Sequence, residues 1–151
     1  MRFNGEYVLK SDRGTVWTFL TDPGAVSACI PDVEEVQVLD GGNFNAVAKV
    51  GIGFIRQKFK FKFTLTNLSE PTHAELDGRG AGAGSMIDFR SKVDLVELDE
   101  SKTKLIWSAE VAFMGPLGGM ASRFVPDAAA VETRRLFDCV RARVEATKPG
   151  Q

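Results

Sequence analysis

Residues 55 to 68 carry the most constraining pattern in this chain, a strict alternation of two kinds of side chain. One set is mainly apolar and consists of Ile55, Gln57, Phe59, Phe61, Phe63 and Leu65. The other set is cationic and consists of Arg56, Lys58, Lys60 and Lys62. Because successive side chains of a strand point to opposite faces, this pattern predicts a strand with one buried face and one face in water.

Weaker alternation of the same kind predicts six further strands, at residues 2–10, 33–39, 44–50, 73–80, 85–98 and 103–113. Two short helices, 12–21 and 25–29, should follow the first strand, with Ser11 as the N-cap of the first helix. From Gly119 onward the apolar residues recur with a helical period, which Pro126 should kink or restart. The order predicts an α+β fold, a curved antiparallel sheet of about seven strands wrapped around a long C-terminal helix.

This arrangement predicts an apolar cavity, because one helix cannot fill the concave side of a wide sheet. Glycines at positions 51, 53, 78, 80, 82 and 84 are the expected means of curvature. The expected lining is aromatic and apolar, with the loop from Met114 to Met120 as a gate. The predicted apolar lining residues are Phe54, Phe59, Phe61, Phe63, Phe89, Trp107, Phe113, Met114, Leu117, Met120, Phe124 and Ala128. A packed core without free space is the alternative interpretation of the same row of aromatic residues.

Three polar residues interrupt the predicted lining. Gln57 and Ser91 fall in inward rows and are candidates for hydrogen bonds to a ligand head group. Glu132 falls on the apolar side of the long helix, with Arg135 at helical spacing as its partner. No set of residues in the sequence has the pattern of an acid–base pair, an activated nucleophile or a metal site, so we expect neither a catalytic centre nor a cofactor.

The remaining polar features favour a structural interpretation. His73 is the single histidine and should lie on the surface beside Glu75 and Asp77. Cys29 and Cys139 are far apart in sequence and have no metal-ligand spacing. We expect no disulfide between them, since no secretory context supports one, and we expect Cys29 to be a buried, unreactive thiol.

Composition limits the class of protein. The chain has 151 residues and a formal net charge of −1, so it lacks the basic footprint of a nucleic-acid-binding protein. No apolar run is long enough to span a bilayer, and the first residues do not resemble a signal peptide. We expect one cytoplasmic domain over residues 1–148, with 149–151 as a C-terminal end.

Several segments resemble the family of the carbon monoxide dehydrogenase G subunit, within the START and birch-pollen-allergen-like (SRPBCC) helix-grip superfamily. The resemblance covers nearly the whole chain and is most specific in the CIPDVEEV segment at residues 29–36. Its other parts are the preceding FNGEYVLKSDRGTVWTFLTDPGAVSA, the strand KFKFKFTL, the stretch GRGAGAG and the run AEVAFMGPLGGMASRFV. Members of that family are thought to be accessory or recruitment proteins of molybdenum-containing hydroxylases of the carbon monoxide dehydrogenase type.

The resemblance implies a non-enzymatic protein that binds a hydrophobic small molecule, because relatives in the superfamily bind lipids, sterols, polyketides and quinones. Some family members carry a C-terminal tail that reaches the membrane, and we expect no such tail here because the chain stops at Gln151. Two alternatives stay open. One is a cyclase or hydratase that uses a carboxylate such as Glu132. The other is a pure adaptor that docks on the hydroxylase, or forms a homodimer, through the lysine-bearing face of the sheet.

Overall fold

The computed structural model describes residues 1–52 and 54–147 and contains one seven-stranded sheet with helices on one side. The strands are β1 (Arg2–Leu9), β2 (Val33–Val38), β3 (Asn43–Ile52), β4 (Ile55–Ser69), β5 (His73–Gly82), β6 (Ser85–Asp99) and β7 (Lys102–Met114). The helices are α1 (Arg13–Leu20), α2 (Pro23–Val26) and α3 (Gly118–Ala146), with a 3₁₀ turn at Ser27–Cys29. This element order confirms the architecture that the sequence predicts.

All neighbouring strands are antiparallel, in the order β1-β7-β6-β5-β4-β3-β2. From β2 to β7 the chain runs as a meander, and β1 pairs with β7 at the far edge, so β1 and β2 are the two edge strands. The pairing shifts register between Thr66 and Ser69 and between Glu97 and Asp99. Extra residues of this kind increase the local twist of a sheet.

The start of α1 corrects one prediction. Asp12, and not Ser11, is the N-cap, because its carboxylate accepts a hydrogen bond from Thr15 N at 3.0 Å and another from Thr15 Oγ1 at 2.6 Å. Ser11 is buried, and its backbone oxygen accepts a hydrogen bond from Thr103 Oγ1 at 2.8 Å. The two residues therefore tie the beginning of α1 to β7.

Three groups of buried side chains fill most of the space between the sheet and the helices. The largest packs α1 and the C-terminal half of α3 against β1, β6 and β7, around Leu9, Val16, Leu105, Phe137 and Val140. A second group lies near the start of α3 and contains Phe59, Ile87 and Leu117. The third contains Phe44, Ala46 and Phe63 on β3 and β4.

The observed helices and strands differ from the predicted ones mainly at their ends. Gly51 and Ile52 belong to β3, which was predicted to end at residue 50, and the glycine-rich segment from Gly78 continues β5 as far as Gly82. Helix α3 runs through Pro126 as one element. Gly53 and the C-terminal end at 149–151 lie outside the described residues, as does position 148.

Candidate functional site

An apolar cavity of about 290 Å³ lies between the middle of the sheet and α3. This volume is near the lower limit of small-molecule sites. The sheet contributes Phe3, Leu65, Ala74, Glu75, Leu76, Phe89, Ser91, Val93, Trp107, Ala109 and Val111. Helix α3 contributes Val125, Ala129, Glu132, Thr133, Leu136, Phe137 and Val140. The end of α1 and the segment that follows it up to β2 close a third side with Leu20, Val26 and Pro31.

A disulfide between Cys29 and Cys139 fixes this third side to α3, with the two Cα atoms 5.5 Å apart. The prediction of two unlinked cysteines is therefore wrong. It rested on the absence of a secretory context, whereas the fold packs the 3₁₀ turn directly against α3 and brings the two cysteines together.

Ion pairs add a polar link one helical turn away from the disulfide. The Arg135 guanidinium lies 3.6 Å from Asp32 Oδ2 and 3.2 Å from both Glu132 oxygens. Arg56 Nη2 lies 3.8 Å from the same Asp32 oxygen, which connects β4 to the cluster. These groups are partly exposed, so each pair contributes little to stability.

Most polar groups in the wall are engaged. Ser91 Oγ donates a hydrogen bond to the Leu76 carbonyl at 3.3 Å, and Glu132 accepts from Arg135 as predicted from their spacing. Trp107 Nε1, in contrast, is buried without a hydrogen-bond partner. Its indole lies across Gly5 of β1, where an added Cβ would be 2.7 Å from Nε1. The wall thus offers a ligand mainly apolar contact.

Four of the predicted site residues line the cavity, namely Phe89, Ser91, Trp107 and Glu132. Three others, Phe59, Phe61 and Phe63, are packed against other side chains and do not line it. The reason lies in β5, where Gly78 and Gly80 leave room for the Phe63 and Phe61 rings to lie flat against the strand.

The other predicted residues lie toward the start of α3 or at the surface. Phe113, Leu117 and Met120 pack around Phe59, and Ala128 is half-buried outside the cavity wall. Phe54, Met114 and Phe124 are 97%, 43% and 37% exposed. Gln57 is exposed as well, because the β3–β4 hairpin extends beyond the end of β5 at this point. For Phe54 and Gln57 the predicted inward position is therefore wrong.

Most of the wall was not among the predicted site residues. Ala109 and Val111 share the inward face of β7 with Trp107. The strand period alone could therefore have identified them as wall residues. Leu20, Val26 and Pro31 gave no such signal, because they end two short helices or follow them, and the position of these elements depends on the tertiary fold.

His73 lies on the outer face of the sheet, half-buried between two carboxylates. Its Nε2 is 2.8 Å from Glu75 Oε2, and its Nδ1 is 2.7 Å from Asp94 Oδ1. The hydrogen bond with Glu75, followed by that with Asp94, raises the pKa of His73. Hydrogen bonding to His73 in turn lowers the pKa of Glu75. Among the described residues, no group of three or more His, Cys, Asp or Glu could hold a metal ion.

Comparisons with known proteins agree with this description. The model of the CoxG family, named for the G subunit of carbon monoxide dehydrogenase, matches residues 5–145. No curated protein matches the chain. Within the described residues, no helix is long and apolar enough to cross a membrane.

Three solved structures show the same fold. A conserved protein from Geobacillus kaustophilus has a TM-score of 0.87 at 21% identity, with 96% of this chain and 95% of that chain covered. A START superfamily protein from Mycobacterium smegmatis has a TM-score of 0.70 at 16% identity, covering 95% and 97%. The Zhui aromatase/cyclase from Streptomyces sp. R1128 has a TM-score of 0.68 at 12% identity, covering 96% and 93%.

Proposed function

The chain belongs to the CoxG family of carbon monoxide dehydrogenase, and on that premise we propose that it binds a hydrophobic, lipid-like or quinone-like small molecule in its cavity. In this proposal it acts as a cytoplasmic accessory protein of a molybdenum-containing hydroxylase of the carbon monoxide dehydrogenase type and does not itself catalyse a reaction.

The observation that carries the proposal is the cavity of about 290 Å³ between the sheet and α3. Its wall is formed almost entirely by aliphatic and aromatic side chains, and transfer of an apolar ligand from water to such a wall is favourable in proportion to the buried area. Ser91 and Glu132 already have intramolecular partners, so they make no demand for a polar ligand.

An enzyme of the cyclase type is the second candidate, since the Zhui aromatase/cyclase shares the fold and Glu132 supplies a carboxylate in the wall. Arg135 contacts both carboxylate oxygens, and the described wall contains no second acid or base in contact with Glu132. This arrangement favours binding over turnover.

The binding proposal is tested by filling the cavity. Ala109 is 8% exposed and lines the cavity, whereas Ala112 is exposed on the opposite face of the same strand. We expect the fluorescent apolar probe N-phenyl-1-naphthylamine to bind the wild-type protein, and Ala109→Phe to weaken binding by at least about tenfold, since the added ring occupies the ligand's place.

Ala112→Phe adds the same ring outside the cavity and should leave probe affinity unchanged. Circular dichroism would establish that both variants are folded. Equal probe affinity in Ala109→Phe and the wild type would contradict the proposed site. Competition by lipids and by quinones would then assign the class of ligand, and a pulldown with the hydroxylase subunits would test the accessory role.

A further inference from the structure

A surface groove between β1 and α3 adjoins the cavity. It is lined by the β1 residues from Phe3 to Tyr7, by Trp107 of β7, and by Pro126, Ala129, Ala130 and Thr133 of α3. The cavity wall contains four of the same residues, Phe3, Trp107, Ala129 and Thr133. These shared side chains therefore form the boundary between the cavity and the surface at the β1 edge of the sheet.

The indole of Trp107 lies at this boundary with its N–H edge next to β1. A Cβ added to Gly5 would lie 2.7 Å from Nε1, 3.1 Å from Cε2 and 3.2 Å from Cζ2, so this edge of the ring rests on the Gly5 backbone. Gly5 lines the groove but not the cavity. Nε1 is therefore on the groove side of the ring, where the cavity meets the surface.

Trp107 Nε1 is a buried donor that has no hydrogen-bond partner. Among the described side chains Ser11 Oγ is in the same state, but Ser11 lines neither the cavity nor the groove. An indole N–H can only donate, and a buried donor without an acceptor is unfavourable. A ligand that brings an acceptor to Nε1 removes this cost, and a few such polar contacts fix the orientation of ligands in apolar sites.

The charges around the two spaces favour a neutral acceptor. Among the described residues, neither wall contains Lys, Arg or His. Both contain carboxylates, Glu75 and Glu132 in the cavity and Glu6 in the groove. An anionic ligand group would lose hydration at this position and gain no opposite charge. A ketone, ester or ether oxygen can accept the hydrogen bond at a much lower desolvation cost.

We propose that Trp107 makes the site specific for ligands with a neutral oxygen acceptor. The oxygen accepts a hydrogen bond from Nε1, and the apolar part of the ligand occupies the cavity. The groove between β1 and α3 holds the substituent beyond the oxygen and leaves it in contact with water. This inference rests on the proposed function, because it needs an apolar ligand in the cavity, and it adds a chemical class to that function.

Two ligands of equal size test the role of Trp107. A carbonyl oxygen in 2-acetylnaphthalene takes the place of a methyl group in 2-isopropylnaphthalene, and displacement of N-phenyl-1-naphthylamine measures both affinities. Loss of one neutral hydrogen bond in Trp107→Phe should lower the ratio of acetyl to isopropyl affinity by about two- to tenfold. Trp17→Phe is the matched control, because Trp17 is buried and lines neither space, so its ratio should equal that of the wild type.

Nuclear magnetic resonance of the folded wild type tests the hydrogen bond directly. The chain contains two tryptophans, so Trp17→Phe assigns their indole N–H signals. The Trp107 signal should lie further downfield with 2-acetylnaphthalene than with 2-isopropylnaphthalene. The same position with both ligands, or the same affinity ratio in Trp107→Phe and the wild type, would overturn the proposal while the proposed function stands. Absence of N-phenyl-1-naphthylamine binding by the wild type would instead contradict the cavity site, and both proposals with it.

Discussion

The hydrogen bonding of individual polar side chains in this protein depends on neighbours that are remote in sequence. Trp107 keeps an unpaired Nε1 because its indole covers Gly5 on β1, 102 positions away in the chain. His73 was expected among Glu75 and Asp77 by strand period, but its second partner, Asp94, lies on β6. Strand register decides such contacts, and register between distant strands is not encoded in the local pattern.

His73 leads to a prediction about the pH dependence of stability. Its pKa is raised in the folded state, so the protonated form is stabilised there. This contribution is fully present below the unfolded pKa and is lost as the pH rises through the folded pKa. We expect wild type to be more stable than His73→Gln at about pH 5.5, with the difference decreasing toward pH 8.5.

Urea unfolding at both pH values would measure this difference. Thr72→Ser, an exposed substitution next to His73, is a control that should follow the wild-type pH profile. A constant difference between His73→Gln and the wild type would mean that His73 acts by packing and not by its charge.

At the scale of elements, the alternation in β4 identifies which side chains face inward but not what they contact. The phenylalanine rings of β4 meet glycines of β5 directly across the register, Phe61 with Gly80 and Phe63 with Gly78. Phe63 also stacks on Phe44, with ring centroids 4.9 Å apart. The glycines thus accept aromatic rings, a role that the sequence shows only after the strand pairing is known.

Gly78→Ala should therefore destabilise the protein. The added Cβ would lie 2.6 Å from Phe63 Cε1, and displacement of the buried ring should cost about 1–3 kcal/mol of unfolding free energy. Gly51→Ala on β3 is the matched control, because its Cβ would have no atom nearer than 3.9 Å. Chemical denaturation would compare them, and equal stability of the two variants would show that the Phe63 ring moves at no cost.

At the scale of the whole molecule, the order of helices and strands and the α+β fold class could be predicted from the sequence. The long strands and the long helix each have a clear period of apolar residues. The cavity was expected, but its wall was placed too close to the β3–β4 turn, since side-chain volumes decide which inward residues fill space and which leave it open. The disulfide was not expected because the sequence gives no secretory context, and only the tertiary fold brings the 3₁₀ turn against α3.

The disulfide gives the last prediction. Cys29 and Cys139 enclose most of the chain, with a sequence separation of 110. A link over so long a loop restricts the unfolded chain and contributes about 2–5 kcal/mol. For a domain of this size, reduction should lower the melting temperature by roughly 5–15 °C. Because the bond also holds one side of the cavity against α3, affinity for N-phenyl-1-naphthylamine should fall together with stability.

Calorimetry with and without dithiothreitol would measure this effect on the purified protein. A Cys29→Ala/Cys139→Ala variant should melt like the reduced wild type and show no response to dithiothreitol, since it has no bond to reduce. A wild-type melting temperature that is unchanged by dithiothreitol would contradict a stabilising link between the 3₁₀ turn and α3. Unchanged probe affinity after a confirmed fall in melting temperature would show that the third side of the cavity keeps its position without the covalent bond.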